Sequence, residues 1–122
     1  MLKGHCLCGA VRIKARSTSR DPAVCHCGQC RRQSGHLWAS VQVPDGDLEV
    51  RGPVRWFDSS PGVRRGFCPA CGSVLFWKSV AEPDTGVSLG CPEAPTGLRV
   101  TRHIFTADKG DYYDLPPGAD PR

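Results

Sequence analysis

Seven of the eight cysteines in this chain fall into three clusters whose spacing is typical of zinc ligands. The clusters are Cys6 with Cys8, Cys25 with Cys27 and Cys30, and Cys68 with Cys71. Structural zinc sites take four ligands at about 2.3 Å for sulfur. Clusters of two, three and two thiols therefore predict two zinc ions, with one coordination position that these cysteines do not fill.

The two-cysteine clusters resemble each other, because in both of them a glycine follows the second cysteine. Such a glycine can take positive φ, which turns backbone N–H groups towards the thiolates. Two cysteines spaced two apart on an extended strand also present both thiolates on one face. We therefore predict one closed, structural site that is formed by Cys6, Cys8, Cys68 and Cys71.

The cluster of Cys25, Cys27 and Cys30 then has a second ion to itself and an open fourth position. Zinc sites with three protein ligands and an open position are the catalytic kind. Cys91 stands alone in the sequence and has two interpretations. It either closes the three-cysteine site and makes that site structural, or it is a small buried apolar side chain.

Two other uses of cysteine fit the sequence less well. Disulfides require an oxidising compartment, and the segment 1–5 has no apolar signal region, which predicts a cytoplasmic protein. A redox Cys-x-x-Cys motif requires a βαβ context, which the Gly- and Pro-rich surroundings do not offer.

Length and composition predict one soluble domain over 1–114, followed by a loose tail over 115–122. No apolar run approaches the roughly 20 residues of a membrane span. The net charge of +4 is spread along the chain, which argues against a nucleic-acid-binding arm. A homodimer formed through an exposed strand edge is compatible with this composition.

The periodicity of the chain is that of strands, and 14 glycines and 11 prolines separate the apolar runs. We predict an all-β domain of short antiparallel strands at 11–15, 37–43, 48–51, 54–57, 63–67, 73–78, 87–89 and 98–105. A helical turn is expected at 28–34, at the end of the three-cysteine cluster.

These motifs together resemble the glutathione-dependent formaldehyde-activating enzyme and centromere protein V family. Three segments carry the resemblance, namely 4–11 with its Cys-Leu-Cys-Gly, 25–35 with Cys-His-Cys-Gly-Gln-Cys-Arg-Arg, and 66–73 with Cys-Pro-Ala-Cys-Gly. The resemblance extends to about Tyr113. It implies a zinc-bound β-tent fold with a structural zinc and an active zinc.

The resemblance also implies a carbon–sulfur lyase-like reaction, in which a small thiol such as glutathione adds to formaldehyde or another small aldehyde. Three thiolates on zinc make a weak Lewis acid, so hydrolysis is disfavoured and a soft thiol suits the open position. The rival hypothesis is a non-enzymatic zinc module that binds a thiol, a protein or RNA.

Residues around the cluster receive less specific predictions. Arg31 and Arg32 either offset the thiolate charge, bind a substrate carboxylate or form a solvated surface. His26 is expected to point away from the metal, with a supporting or a surface role. Trp38 is a candidate for the wall of a pocket above the open zinc.

Overall fold

The computed structural model describes residues 1–119, so the last three residues of the predicted tail lie outside the described part. Besides two 3-10 turns, its regular elements are ten strands and one short α-helix. They are β1 (Leu2–His5), β2 (Arg12–Ala15), β3 (Arg20–Cys25), α1 (Gly28–Ser34), β4 (Trp38–Pro44), β5 (Leu48–Arg51), β6 (Arg55–Ser60), β7 (Val63–Phe67), β8 (Val74–Ser79), β9 (Asp84–Ser88) and β10 (Arg102–Ile104).

The strands form two sheets, which confirms the predicted all-β fold. The smaller sheet has the order β1-β2-β5, and the larger has the order β10-β3-β4-β9-β8-β7-β6. Most neighbouring strands pair antiparallel, as predicted. The exception in the described residues is β10, which runs parallel to β3 and places Ile104 opposite Cys25.

The main hydrophobic core contains side chains from both sheets. Ile13 and Ala15 from the smaller sheet are buried in one cluster with Val41, Val43 and other residues of the larger sheet. The predicted alternation of β4 explains this arrangement, because residues two apart on a strand share a face. The opposite face of β4 is thereby left for the functional site.

Two strands were not predicted, and local sequence explains the omission. β3 contains Pro22, which cannot donate a ladder hydrogen bond and normally argues against an inner strand. The pairing with β4 shifts register between Arg20 and Ala23, so a bulge accommodates the proline. β1 is only four residues long and contains Gly4, so its period-2 pattern is weak.

The C-terminal prediction was too long, since the strand expected at 98–105 forms only at Arg102–Ile104. The helical prediction was accurate: α1 spans Gly28–Ser34 and ends at Gly35, which has a φ of 92°. A left-handed glycine at this position is a common helix terminator. No helix in the described residues is both long and apolar enough to cross a membrane.

Candidate metal centres

Four thiols from two distant parts of the sequence lie together at the junction of the two sheets. The sulfurs of Cys6, Cys8, Cys68 and Cys71 all lie within 4.8 Å of one another. Cys8 Sγ is 3.6 Å from Cys6 Sγ and 3.8 Å from Cys68 Sγ. Zinc–sulfur bonds of about 2.3 Å at the tetrahedral angle place two sulfurs about 3.8 Å apart. The four thiols therefore fit one tetrahedral zinc ion.

Two matching turns present these thiols. Gly9 N donates to the Cys6 carbonyl over 3.1 Å, and Gly72 N donates to the Cys68 carbonyl over 2.8 Å. Both glycines have the positive φ expected from the sequence, 81° and 78°. The expectation that Cys6 and Cys8 lie on a strand was wrong, because β1 ends at His5 and the segment turns there. The turn nevertheless brings both sulfurs to one site, as a strand would.

Cys91 lies on the side of the four-thiol cluster and not on that of Cys25. It is 6% exposed and packs in the main core with Cys6 and Cys68. Burial and, to a smaller extent, the charge of Cys6 raise the pKa of the Cys91 thiol to about 11. Cys91 therefore does not close the three-cysteine site. It is a small buried side chain whose thiol is protonated at neutral pH.

The second cluster is built where β3 meets α1. Cys25 ends β3, Cys27 is the residue before α1, and Cys30 is the buried residue of that helix. The three sulfurs lie within 4.8 Å of one another. Cys30 N donates to Cys27 Sγ over 3.3 Å, so the helix start holds Cys27 in place. The first turn of this short helix thus places the Cys30 thiol next to those of Cys25 and Cys27.

A buried arginine that was not predicted contacts this cluster. Arg65 of β7 is 5% exposed, and its guanidinium lies 3.6 Å from Cys30 Sγ. Arg31, which the sequence suggested for this role, instead donates to the carbonyl of Asp108. The alternation of side chains along a strand could have predicted this contact. Val63, Arg65 and Phe67 share one face of β7, while Arg64 lies on the other.

Cys25 and Cys30 differ in acidity, because their thiols form a hydrogen bond with each other. The hydrogen bond with Cys30 raises the pKa of the Cys25 thiol, and burial raises it further. The same hydrogen bond lowers the pKa of Cys30 to about 6, against the effect of burial, and Arg65 contributes to this shift. The Cys30 thiol thus ionises before the Cys25 thiol.

His26 lies between two of these cysteines and is buried, so the surface alternative was wrong. Its Nδ1 lies 2.6 Å from the Tyr113 hydroxyl, and its Nε2 lies 3.0 Å from Nδ1 of His103. Burial lowers the pKa of His26, and the neighbouring His103 lowers it further. His26 is therefore neutral at pH 7, and its two ring contacts hold the Cys25–Cys27 segment in place.

An open cavity of about 640 Å³ lies beside the three-cysteine cluster. Trp38, which was predicted to line a pocket here, lies directly opposite Cys25 in the β3–β4 ladder. Further lining residues are Ser40, Gln42, Trp77, Ile104, Phe105 and Arg65, with the exposed charged side chains Arg20, Asp21, Glu82 and Arg102. The cavity thus combines aromatic walls with charges of both signs.

The donor chemistry of this cluster also fits zinc. Three soft sulfur donors converge beside a cavity, and no fourth Cys, His, Asp or Glu joins them in residues 1–119. Backbone N–H and guanidinium donors point at two of the sulfurs, as suits thiolates. Cys25, Cys27 and Cys30 would hold the ion, and the fourth position would face the cavity.

Comparisons with known proteins agree with this picture. Residues 1–108 match the model of a family described as glutathione-dependent formaldehyde-activating enzyme. A crystal structure of a Rhodobacter sphaeroides protein, solved in a structural genomics programme, is 27% identical to this chain with a TM-score of 0.63. The match covers 75% of this chain and 88% of that one. The search of curated proteins gives no match.

Proposed function

The chain belongs to the glutathione-dependent formaldehyde-activating enzyme family, and on that premise we propose that it joins a small thiol to formaldehyde or another small aldehyde. The product is an S-hydroxymethyl thioether or its homologue, and the reverse reaction is a carbon–sulfur cleavage. The observation that carries this proposal is the set of three converging thiols with an open cavity on their fourth side.

The reaction requires a thiolate held close to a carbonyl group. Zinc held by Cys25, Cys27 and Cys30 would supply a position at which an incoming thiol loses its proton. The thiolate sulfur then donates an electron pair to the carbonyl carbon, and the C–S bond forms. The carbonyl π electrons move to oxygen, which takes a proton from water. The three cysteines serve as ligands and not as nucleophiles.

The cavity supports glutathione as the thiol. Glutathione carries two carboxylates and one ammonium group, and the cavity has two exposed arginines and two exposed carboxylates. Arg20 and Arg102 would meet the carboxylates, while Asp21 or Glu82 would meet the ammonium group. Trp38 and Trp77 supply the apolar wall beside the reacting sulfur.

Titration of the zinc-loaded protein with glutathione tests the proposal. We expect saturable heat that varies with the ionisation enthalpy of the buffer, because the thiol releases a proton as it binds. The Cys91→Ala variant should bind equally well, since Cys91 lies at the other cluster. Absence of binding in both proteins would favour the non-enzymatic zinc module.

Turnover is a separate measurement. NMR exchange spectroscopy of formaldehyde with glutathione should show faster equilibration when the zinc-loaded protein is added. Cys27→Ser, which removes one of the three proposed ligands, should abolish the acceleration. Thiol binding without acceleration would indicate a thiol carrier and would refute the catalytic part of the proposal.

A further inference from the structure

Arg65 is a buried cation that has no carboxylate partner in the described part of the chain. It is 5% exposed. Its hydrogen-bond partners are Cys30 Sγ, Gln33 Oε1, Gln29 Oε1 and Ser59 Oγ. Three of these partners are neutral, and a buried guanidinium is costly unless a negative charge compensates it. The thiolates of the three-cysteine cluster are the negative charge within reach.

We propose that Arg65 is the positioning residue that makes the three-cysteine site accept an anionic fourth ligand. This inference rests on the proposed function and adds a residue to it. Three thiolates and one divalent ion carry a net charge near −1, and a bound thiolate makes it −2. One guanidinium at 3.6 Å from Cys30 Sγ offsets part of that charge.

Two structural elements hold the guanidinium in place. Gln29 and Gln33 lie four residues apart on α1, and each accepts one hydrogen bond from Arg65 over 3.1 Å. Ser59 of β6 receives the Nε hydrogen over 3.3 Å. The cation is therefore fixed between the helix and the sheet, and it cannot turn towards solvent without losing these bonds.

Arg65 also has one N–H group that is not used by the contacts described above. A guanidinium offers five N–H donors, and the contacts found within residues 1–119 use about four of them. Arg65 lines the cavity beside Cys25 and Cys27. The remaining N–H, on Nη2, is available to the negatively charged sulfur or oxygen of a bound ligand.

The experiment compares an anionic fourth ligand with a neutral one. The protein is loaded with Co²⁺, whose visible absorption reports a change of the fourth ligand, and is titrated with 2-mercaptoethanol or imidazole. The first ligand binds as a thiolate without other charges, and the second binds as a neutral base. Arg65→Met removes the buried charge, Arg65→Lys retains it, and Arg64→Met removes an exposed charge from the next residue on the same strand.

We expect Arg65→Met to weaken 2-mercaptoethanol binding by about 10- to 100-fold, the usual effect of removing a group that supports metal ligands. Imidazole binding should change by less than about threefold, because no new negative charge forms. Arg64→Met should leave both affinities unchanged. Arg65→Lys should remain close to the wild type for 2-mercaptoethanol.

Equal losses for the two ligands would overturn the inference and assign Arg65 a purely structural role. Equal 2-mercaptoethanol binding by the wild type and Arg65→Met would overturn the inference and leave the proposed function intact. A wild-type protein that does not bind 2-mercaptoethanol would overturn the proposed function together with the inference. Arg65→Gln, which keeps a polar side chain at this position, serves as the neutral variant if Arg65→Met does not fold.

Discussion

Replacing Cys68 by serine should unfold the domain. Cys68 is fully buried between β7 and β8, and its sulfur lies with those of Cys6, Cys8 and Cys71. The first two of these follow β1 in the smaller sheet, whereas Cys68 follows β7 in the larger one. An ion at this place therefore connects the two sheets as well as the two turns.

The magnitude follows from the free energy that such an ion supplies. Structural zinc contributes about 10–16 kcal/mol of apparent binding energy in small zinc-binding peptides at pH 7. The free energy of unfolding of a small domain is about 5–15 kcal/mol. If the Cys68→Ser protein loses this ion, the lost free energy is comparable to the whole stability of the domain.

Cys91→Ser is the matched control, because it introduces the same hydroxyl into the same core without removing any of the four clustered thiols. Burial of an unsatisfied hydroxyl should lower the free energy of unfolding by about 1–3 kcal/mol. Metal content by mass spectrometry and thermal melting by circular dichroism distinguish the variants. We expect two zinc ions and a cooperative melt for the control, and no cooperative melt for Cys68→Ser.

The pairing of the cysteines would be refuted if Cys68→Ser bound two zinc ions and melted like Cys91→Ser. A Cys68→Ser protein that folds with a single zinc ion would show that the core holds the sheets together without the four-thiol ion. That result would refute the assigned magnitude while leaving the pairing in place.

Three further predictions concern other parts of the structure. Cys27→Ser should lose one of two zinc ions and all glutathione binding while the domain stays folded. Metal analysis and circular dichroism would show this result, whereas loss of both ions would indicate that the three-cysteine site is structural too. Arg102→Gln should weaken glutathione binding by about 3- to 30-fold and leave 2-mercaptoethanol binding unchanged, since only glutathione carries carboxylates. Equal changes in the two affinities, measured by calorimetry, would contradict a role of Arg102 in binding a carboxylate. Burial raises the pKa of Asp45, but hydrogen bonds from Lys78 and Thr85 outweigh it and leave this pKa lowered. Ionised Asp45 therefore stabilises the fold above about pH 4 and stops doing so as the pH falls through its lowered pKa. Asp45→Asn should cost about 0.5–1 kcal/mol in urea unfolding at pH 7, and an unchanged midpoint would show that the exposed pair with Lys78 contributes nothing.

The turns that present the clustered cysteines could be predicted because the relevant information is local. A glycine after the second cysteine defines each turn, and the positive φ of Gly9 and Gly72 bears this out. The helix at Gly28–Ser34 could be predicted for the same reason, since Gly35 follows it as a terminator. These features depend on a few adjacent residues and not on the rest of the fold.

The partners of the three-cysteine cluster could not be predicted in the same way. Arg64 and Arg65 are identical as residue types, and only the pleat of β7 decides that Arg65 faces inward. That orientation depends on the register between β6, β7 and β8, which includes irregular pairings at both ends of β7. His26 likewise pairs with His103 and Tyr113, which are 77 and 87 residues away.

The parallel pairing of β10 with β3 determines the order in which the protein can be completed during synthesis. The residues of the four-thiol cluster end at Cys71, so that cluster can close while the chain is still attached to the ribosome. Ile104, by contrast, is opposite Cys25 and accepts a hydrogen bond from His26 N, so the three-cysteine segment gains these contacts only after residue 104 has been synthesised. The three-cysteine cluster therefore completes its backbone support later in synthesis than the four-thiol cluster can complete its set of ligands.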